Sequence, residues 1–152
     1  MAYYWTNGFR YHVDAEVAGA EVKRIEQKYG VCKPQCVVDE SQPEDAPLHS
    51  EFEWDDAVAA NEHRLEQARC LIRSIRIADE PTGERKHAFF HVATQPVKGY
   101  VDRARVMSEP ELHRAALEEA VRYLNGAKAR FDDLSELEPV WATVEEVAEK
   151  VL

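Results

Sequence analysis

Ten consecutive residues, Pro47-Leu48-His49-Ser50-Glu51-Phe52-Glu53-Trp54-Asp55-Asp56, bring together four carboxylates, a histidine and two large aromatics. His49 with Glu53, Asp55 and Asp56 is a donor set that a divalent cation accepts, and paired carboxylates can divide acid and base work. Used in that way, the run would belong to a metal-dependent hydrolase. A structural reading competes with it. Asp55 or Asp56 caps a following helix, where negative charge meets the positive end of the helix dipole. Phe52 and Trp54 then staple the helix start and anchor it in a core. A nuclease-type site would need further acidic residues from elsewhere in the fold, and no lysine-bearing motif accompanies the run. The structural reading is preferred.

Cys32 and Cys36 stand four apart, with His12 and His49 elsewhere, a spacing at which zinc ligands occur. Pro34 lies between them, no second close Cys or His pair completes a tetrahedron, and Cys70 falls in a helical stripe. Buried cysteine acting as a small hydrophobe is the expected state, so no metal and no cofactor is assigned.

A second cluster is basic. Arg64, Arg69, Arg73, Arg76, Arg85 and Lys86 are interleaved with His87, Phe89 and Phe90, a mixture that can hold phosphates and stack bases. Its rival is neutralisation of the acidic loop, with at least one phenylalanine in the core. A Gly-containing turn joining two early helices has a helix-turn-helix outline. The second of them offers Gln35, Asp39 and Glu40 to a partner, which suits no phosphate backbone. The chain carries no Gly-rich phosphate loop, nucleophile elbow or His-Glu-x-x-His pattern, which tilts the balance against an enzyme.

The net charge of −10 is unevenly spread. Residues 37–62 hold nine carboxylates and no lysine or arginine, whereas residues 63–105 hold nine basic groups against five acidic ones. Residues 106–152 return to −6. An acidic total disfavours indiscriminate nucleic-acid binding but leaves room for a local basic face. Three cysteines without framework spacing suit a reducing cytosol. No apolar run is long enough to span a membrane. The 45% hydrophobic content in 152 residues is enough for one domain with its own core.

Periodicity supplies the elements that must position these side chains. Residues 1–13 are aromatic-rich around Asn7-Gly8 and form either an N-terminal arm or a hairpin. Asp14 caps a helix over 14–29 with Ala18, Val22, Ile25 and Tyr29 on its buried face, and Gly30 stops it. Pro34 opens a short helix over 33–40. Helical spacing resumes from 56 to 74, burying Leu65, Ala68, Ile72 and Ile75. An antiparallel hairpin follows over 75–94, turning at Pro81-Thr82-Gly83-Glu84, with a return strand from His87 to Thr94. A third strand is expected near 100–106. Ser108-Glu109-Pro110-Glu111 reads as a capping box. The helix it opens, over 109–133, carries a stripe from Leu112 through Ala116, Ala120, Tyr123, Ala127 and Phe131 to Leu134. Pro139 breaks the chain before a last helix over 139–151, with Val140, Val144, Val147 and Val151 on one face. The expected class is α+β: one domain over 1–152, a small antiparallel sheet with four or five helices, and a long C-terminal helix pair suited to self-association.

Pro47-Leu48-His49, Phe52-Glu53-Trp54-Asp55-Asp56, Ala59-Ala60, Arg64, Gln67-Ala68-Arg69 and Leu71-Ile72-Arg73 together resemble a segment of small uncharacterised proteins of bacteriophages and prophages. The resemblance spans about residues 13–77, and more loosely the helix from Ser108 and the stretch from Leu134 to Val140. It implies a phage-derived protein in the bacterial cytoplasm, with no established activity and no catalytic residue to carry over. Where related sequences place Ser or Thr ahead of the second helix's proline, this chain has Cys32-Lys33.

The leading expectation is a non-enzymatic adaptor or accessory protein that meets a protein partner, or a second copy of itself, through His49, Phe52, Trp54, Arg69 and Arg73. The alternatives are a nucleic-acid-binding regulator using Arg69, Arg73, Arg76, Arg85 and Lys86, and the hydrolase described above. Contact with a membrane is not expected.

Overall fold

The computed structural model describes residues 2–6, 10–54, 58–79, 82–93 and 97–151. Its architecture is α+β. In chain order the elements are β1 (Tyr3–Trp5), α1 (Ala15–Tyr29), α2 (Pro34–Glu40), α3 (Val58–Ser74), β2 (Ile75–Asp79), β3 (Glu84–His87), β4 (Phe89–Val92), β5 (Gly99–Asp102), α4 (Arg103–Ser108), α5 (Pro110–Phe131) and α6 (Glu138–Val151), with a 3₁₀ turn before α3 and another before α6. No helix is long and apolar enough to cross a membrane among the described residues.

Two small antiparallel sheets replace the single one expected. The first has the order β1-β2-β3, with Tyr3 opposite Ile77 and Arg76 opposite His87. The second pairs β4 with β5, Phe90 opposite Val101. The hairpin over 75–94 is therefore real, but its return strand is Glu84–His87. Ala88 is the break: its N–H donates to the Ile75 carbonyl at 3.2 Å, and its own carbonyl accepts from Arg103 at 2.8 Å. With Ala88 buried and tied to both sheets, Phe89–Val92 is turned away to a new partner strand. The expected third strand ends at Asp102, whose side chain accepts from Ala104 N at 2.8 Å and starts α4.

The aromatic arm is tied down as β1, an edge strand of the first sheet. Trp5 stacks on Tyr11 at 4.2 Å and donates from Nε1 to the Val13 carbonyl. The Asn7-Gly8 turn and the Asp55 and Asp56 caps lie outside the described residues. Asp14 occupies the cap position of α1 without a side-chain hydrogen bond. The capping box at Ser108 does not form: Ser108 ends α4, its hydroxyl donates to the Arg105 carbonyl, and Glu109 precedes α5 without a capping bond.

The main core joins Ala18, Val22 and Ile25 of α1, Val37 and Val38 of α2, Leu71 and Ile72 of α3, and Ile75, Ile77 and Phe89 of the sheets. A second core gathers Val92, Val101, Val106, Leu112 and Ala115. Beyond them the C-terminal stripes behave unlike the expectation. Of the long α5 stripe only Leu112 is fully buried, and Tyr123, Phe131 and Leu134 are exposed. In α6, Trp141 and Val144 are buried while Val140 and Val147 are exposed.

Candidate functional site

The acidic loop is built as a junction. Leu48 and Phe52 are core residues. The Glu51 carboxylate accepts from Val13 N at 2.8 Å, tying the loop to the start of α1. Trp54 packs against the core, donates from Nε1 to the His49 carbonyl at 2.8 Å, and lies parallel to the His49 ring at 5.0 Å. His49 Nδ1 in turn donates to the Ser41 carbonyl at 2.9 Å. Arg64 covers the Trp54 ring and donates to the Glu53 carbonyl. The His49 and Trp54 ring faces, His49 Nδ1 and Trp54 Nε1 are thus engaged within the fold. Among the described residues no three His, Cys, Asp or Glu side chains converge as a metal site requires. Cys32 is fully buried, and desolvation pushes its thiol pKa well up, which keeps it protonated.

A broad concavity lies beside the Leu65, Arg69 and Arg73 face of α3. It is a cleft of about 870 Å³ bounded by α3, the β3–β4 bend, β5, the start of α2 and the first half of α5. Leu65, Arg69 and Arg73 follow one another at four-residue steps, so α3 turns all three toward it. Tyr100, Phe89 and Phe90 supply its aromatic floor, and Tyr123 stands exposed on the far rim. Lys33 and Lys98 add two cations, and Glu119 is the one acid in the lining among the described residues.

Local backbone geometry explains how the α2 end of the rim is held. Cys32 N donates to the Tyr100 carbonyl at 2.8 Å, and Tyr100 N donates to the Cys32 carbonyl at 2.7 Å. This two-bond bridge sets Lys33, Pro34 and Gln35 beside β5. It requires Gly99, whose φ is +152° and where an added Cβ would sit 2.7 Å from the Cys32 carbonyl oxygen.

Two histidines in the lining have different partners. Arg76 Nη1 donates to His87 Nδ1 at 2.7 Å and to the Arg73 carbonyl at 2.6 Å. An arginine cannot accept, so His87 Nδ1 bears a lone pair and the ring is neutral. Burial, reinforced by the Arg76 charge, holds the His87 pKa below its usual value. His91 Nδ1 lies 2.6 Å from Glu119 Oε1 and donates to it, and its ring meets Tyr100 edge-on at 5.2 Å. The second Glu119 oxygen is buried without a hydrogen-bond partner among the described residues. Burial raises the Tyr100 phenol pKa, while the neighbouring Arg73 and Arg69 charges pull it back.

The basic residues singled out in the sequence divide into four groups, the first being Arg64 on the Trp54 junction. Arg69 and Arg73 line the cleft. Arg76 and Arg85 share the outward face of the first sheet with Tyr4 and His87, Arg85 lying 4.5 Å over the Tyr4 ring. Lys86 points to the opposite face and pairs with Asp79. His49, Phe52 and Trp54 belong to the junction, away from the cleft. Lys33, Lys98, His91, Tyr100 and Glu119 were missed, because their only sequence signal is being polar or aromatic in scattered segments.

The chain matches no protein-family model, no curated protein and no solved structure. The residues of the cleft therefore carry the functional argument by their chemistry alone.

Proposed function

We propose that the cleft binds single-stranded nucleic acid, and that the protein is a non-enzymatic accessory of a phage or prophage working in the bacterial cytoplasm. One observation carries the binding reading: Arg69 and Arg73 of α3 line the same open cleft as Tyr100 and Phe90. Guanidinium groups hold phosphates in a fork geometry, and aromatic faces stack bases regardless of their identity. The outward sheet face continues the track, since His87 links the cleft to Arg76, Arg85 and Tyr4. A net charge of −10 disfavours nucleic acid over the surface as a whole, so binding would depend on this local group of cations. The cellular setting is part of the proposal and rests on the sequence resemblance of residues 13–77 alone.

The test is fluorescence anisotropy with an oligonucleotide of about 12 nucleotides, beside a duplex and a mononucleotide. Binding of the single strand should weaken with salt at a logarithmic slope near −2, as expected for roughly three phosphate contacts. Arg69→Ala with Arg73→Ala should weaken it by roughly ten- to a hundredfold. Absence of single-strand binding at low salt, or unchanged binding by the double variant, removes the proposal. Equal affinity for the mononucleotide would narrow the ligand to a free nucleotide.

A further inference from the structure

Glu119 lines the cleft with one carboxylate oxygen committed and the other not. It stands on α5, which packs along β4, the strand that carries His91. Oε1 accepts from His91 Nδ1 at 2.6 Å, whereas Oε2 is buried with no hydrogen-bond donor among the described residues. The Glu119 side chain as a whole is only 17% exposed. A carboxylate oxygen held out of water without a donor is costly, so the arrangement favours a ligand that brings an N–H group. The bond to Glu119 also fixes the tautomer of His91: with the proton on Nδ1, the neutral ring keeps its lone pair on Nε2. Among the described residues no donor is bonded to that nitrogen. One His–Glu pair in the cleft lining thus offers two acceptors.

The groups around the pair fix the rest of the ligand. The His91 ring meets Tyr100 edge-on at 5.2 Å, and the Arg73 and Arg69 charges act on the Tyr100 phenol. The same tyrosine is therefore neighbour to both the acceptor pair and the guanidinium groups. A base lodged against Tyr100, with its phosphates on the arginines, turns an edge toward Glu119 and His91. We propose that Glu119 and His91 read an exocyclic amine on that base, so that the cleft favours strands of cytosine or adenine over strands of thymine or uracil. This specificity deepens the single-strand reading of the cleft and rests on it. The exocyclic amine of cytosine or adenine carries two N–H groups, one for each acceptor. Thymine and uracil instead flank their single ring N–H with carbonyl oxygens, which face the carboxylate unfavourably and leave Oε2 unpaired. Stacking on an aromatic ring is indifferent to base identity, so the discrimination comes from the edge contact.

Fluorescence anisotropy of the full chain at about pH 8, where an ordinary imidazole is neutral, compares deoxycytidine and thymidine oligomers of about 12 nucleotides. The deoxycytidine strand should bind about tenfold tighter, the discrimination of one good base-edge contact. Glu119→Gln keeps the side-chain shape and an acceptor for His91 but turns an amide N–H toward the base. The preference should then vanish or invert in favour of thymidine. This change also removes a negative charge and so raises affinity for both strands, which makes the ratio of the two affinities the decisive reading. A Glu119 that only braces His91 would leave the ratio as it is in wild type, and that result overturns the proposal. Should the variant fail to fold, a deoxycytidine strand with both amine hydrogens replaced by methyl groups decides on the wild-type protein. Its affinity should drop to that of the thymidine strand or below, and affinity equal to unmodified deoxycytidine overturns the proposal. Equal binding of the two unmodified strands by wild type also overturns it while leaving single-strand binding intact. Binding of neither strand removes both readings.

Discussion

Glu66 holds Arg73 at 3.0 Å on the rim of the cleft, and its second oxygen holds Arg69 at 3.2 Å. One carboxylate thus occupies both guanidinium groups that a phosphate would need. The Arg69 hydrogen bond and the Arg73 charge hold the Glu66 pKa below the usual carboxylate range, so the competing charge is present at neutral pH. Glu66→Gln should release both arginines. Oligonucleotide affinity is expected to rise severalfold with a steeper salt slope, while the urea midpoint stays in place because the pair is exposed. Unchanged affinity would mean that these arginines do not meet the ligand.

Tyr3 lies over Gly19, and this contact fastens the N-terminal strand to α1. A Cβ built on Gly19 would stand 2.2 Å from Tyr3 Cγ, so the glycine is required by the neighbouring ring. Gly19→Ala should cost about 1–3 kcal/mol by overpacking. In a Tyr3→Ala background the same change should be neutral or stabilising by up to about 1 kcal/mol, because alanine is the better helix former. Urea unfolding of the four proteins closes the cycle. Equal effects of Gly19→Ala in both backgrounds would contradict the contact.

Local periodicity made α1, α2 and α3 legible, because each buries a stripe whose spacing is written in consecutive residues: Ala18, Val22 and Ile25 are all fully buried. It failed where burial depends on distant partners. Nothing between His87 and Phe89 marks Ala88 as the break between two sheets. The break is set by bonds to Ile75 and Arg103, both more than ten residues away. The α5 stripe was extended too far for the same reason. Spacing alone does not reveal that the second core ends near Ala116 and that Val121 is buried beside α6 residues. In the cleft, Arg69 and Arg73 were legible as neighbours on one helix face. Tyr100, Lys33 and Lys98 reach them through the Cys32–Tyr100 bridge, a tertiary pairing without a local pattern.

Arg105 tests how the two cores are coupled. Its guanidinium pairs with Glu26, which is 1% exposed on α1, and also contacts Glu109 at 3.0 Å. Burial pushes the Glu26 pKa up while Arg105 opposes the rise. Removing the arginine leaves a carboxylate inside the protein without its partner. Arg105→Leu should therefore cost about 3 kcal/mol or more, and Glu26→Gln in that background should recover a large part of it. Thermal unfolding of the two single variants and the double variant measures this. A single variant as stable as wild type would show that the pair is unimportant to the fold.

His87 links proton uptake to both stability and binding. Its Nδ1 accepts from Arg76, and burial followed by the Arg76 and Arg103 charges depresses its pKa below 6.5, against a smaller opposing bond to the Arg73 backbone. An unfolded chain takes up this proton near pH 6.5, whereas the folded chain takes it up only at lower pH. Between those two values the unfolded state binds more protons. The contribution to stability is thus whole above pH 6.5, shrinks as pH falls through the folded value, and levels off below it. Asparagine can still accept from Arg76 but does not titrate. Urea midpoints from about pH 7.5 to about pH 5 should therefore fall less for His87→Asn than for wild type. Ligand binding should respond in the opposite sense. A bound phosphate favours the imidazolium, so oligonucleotide affinity should rise as pH drops through the same window in wild type and stay flatter in the variant. Identical pH profiles for the two proteins, in both measurements, would show that His87 neither titrates in this window nor faces the ligand.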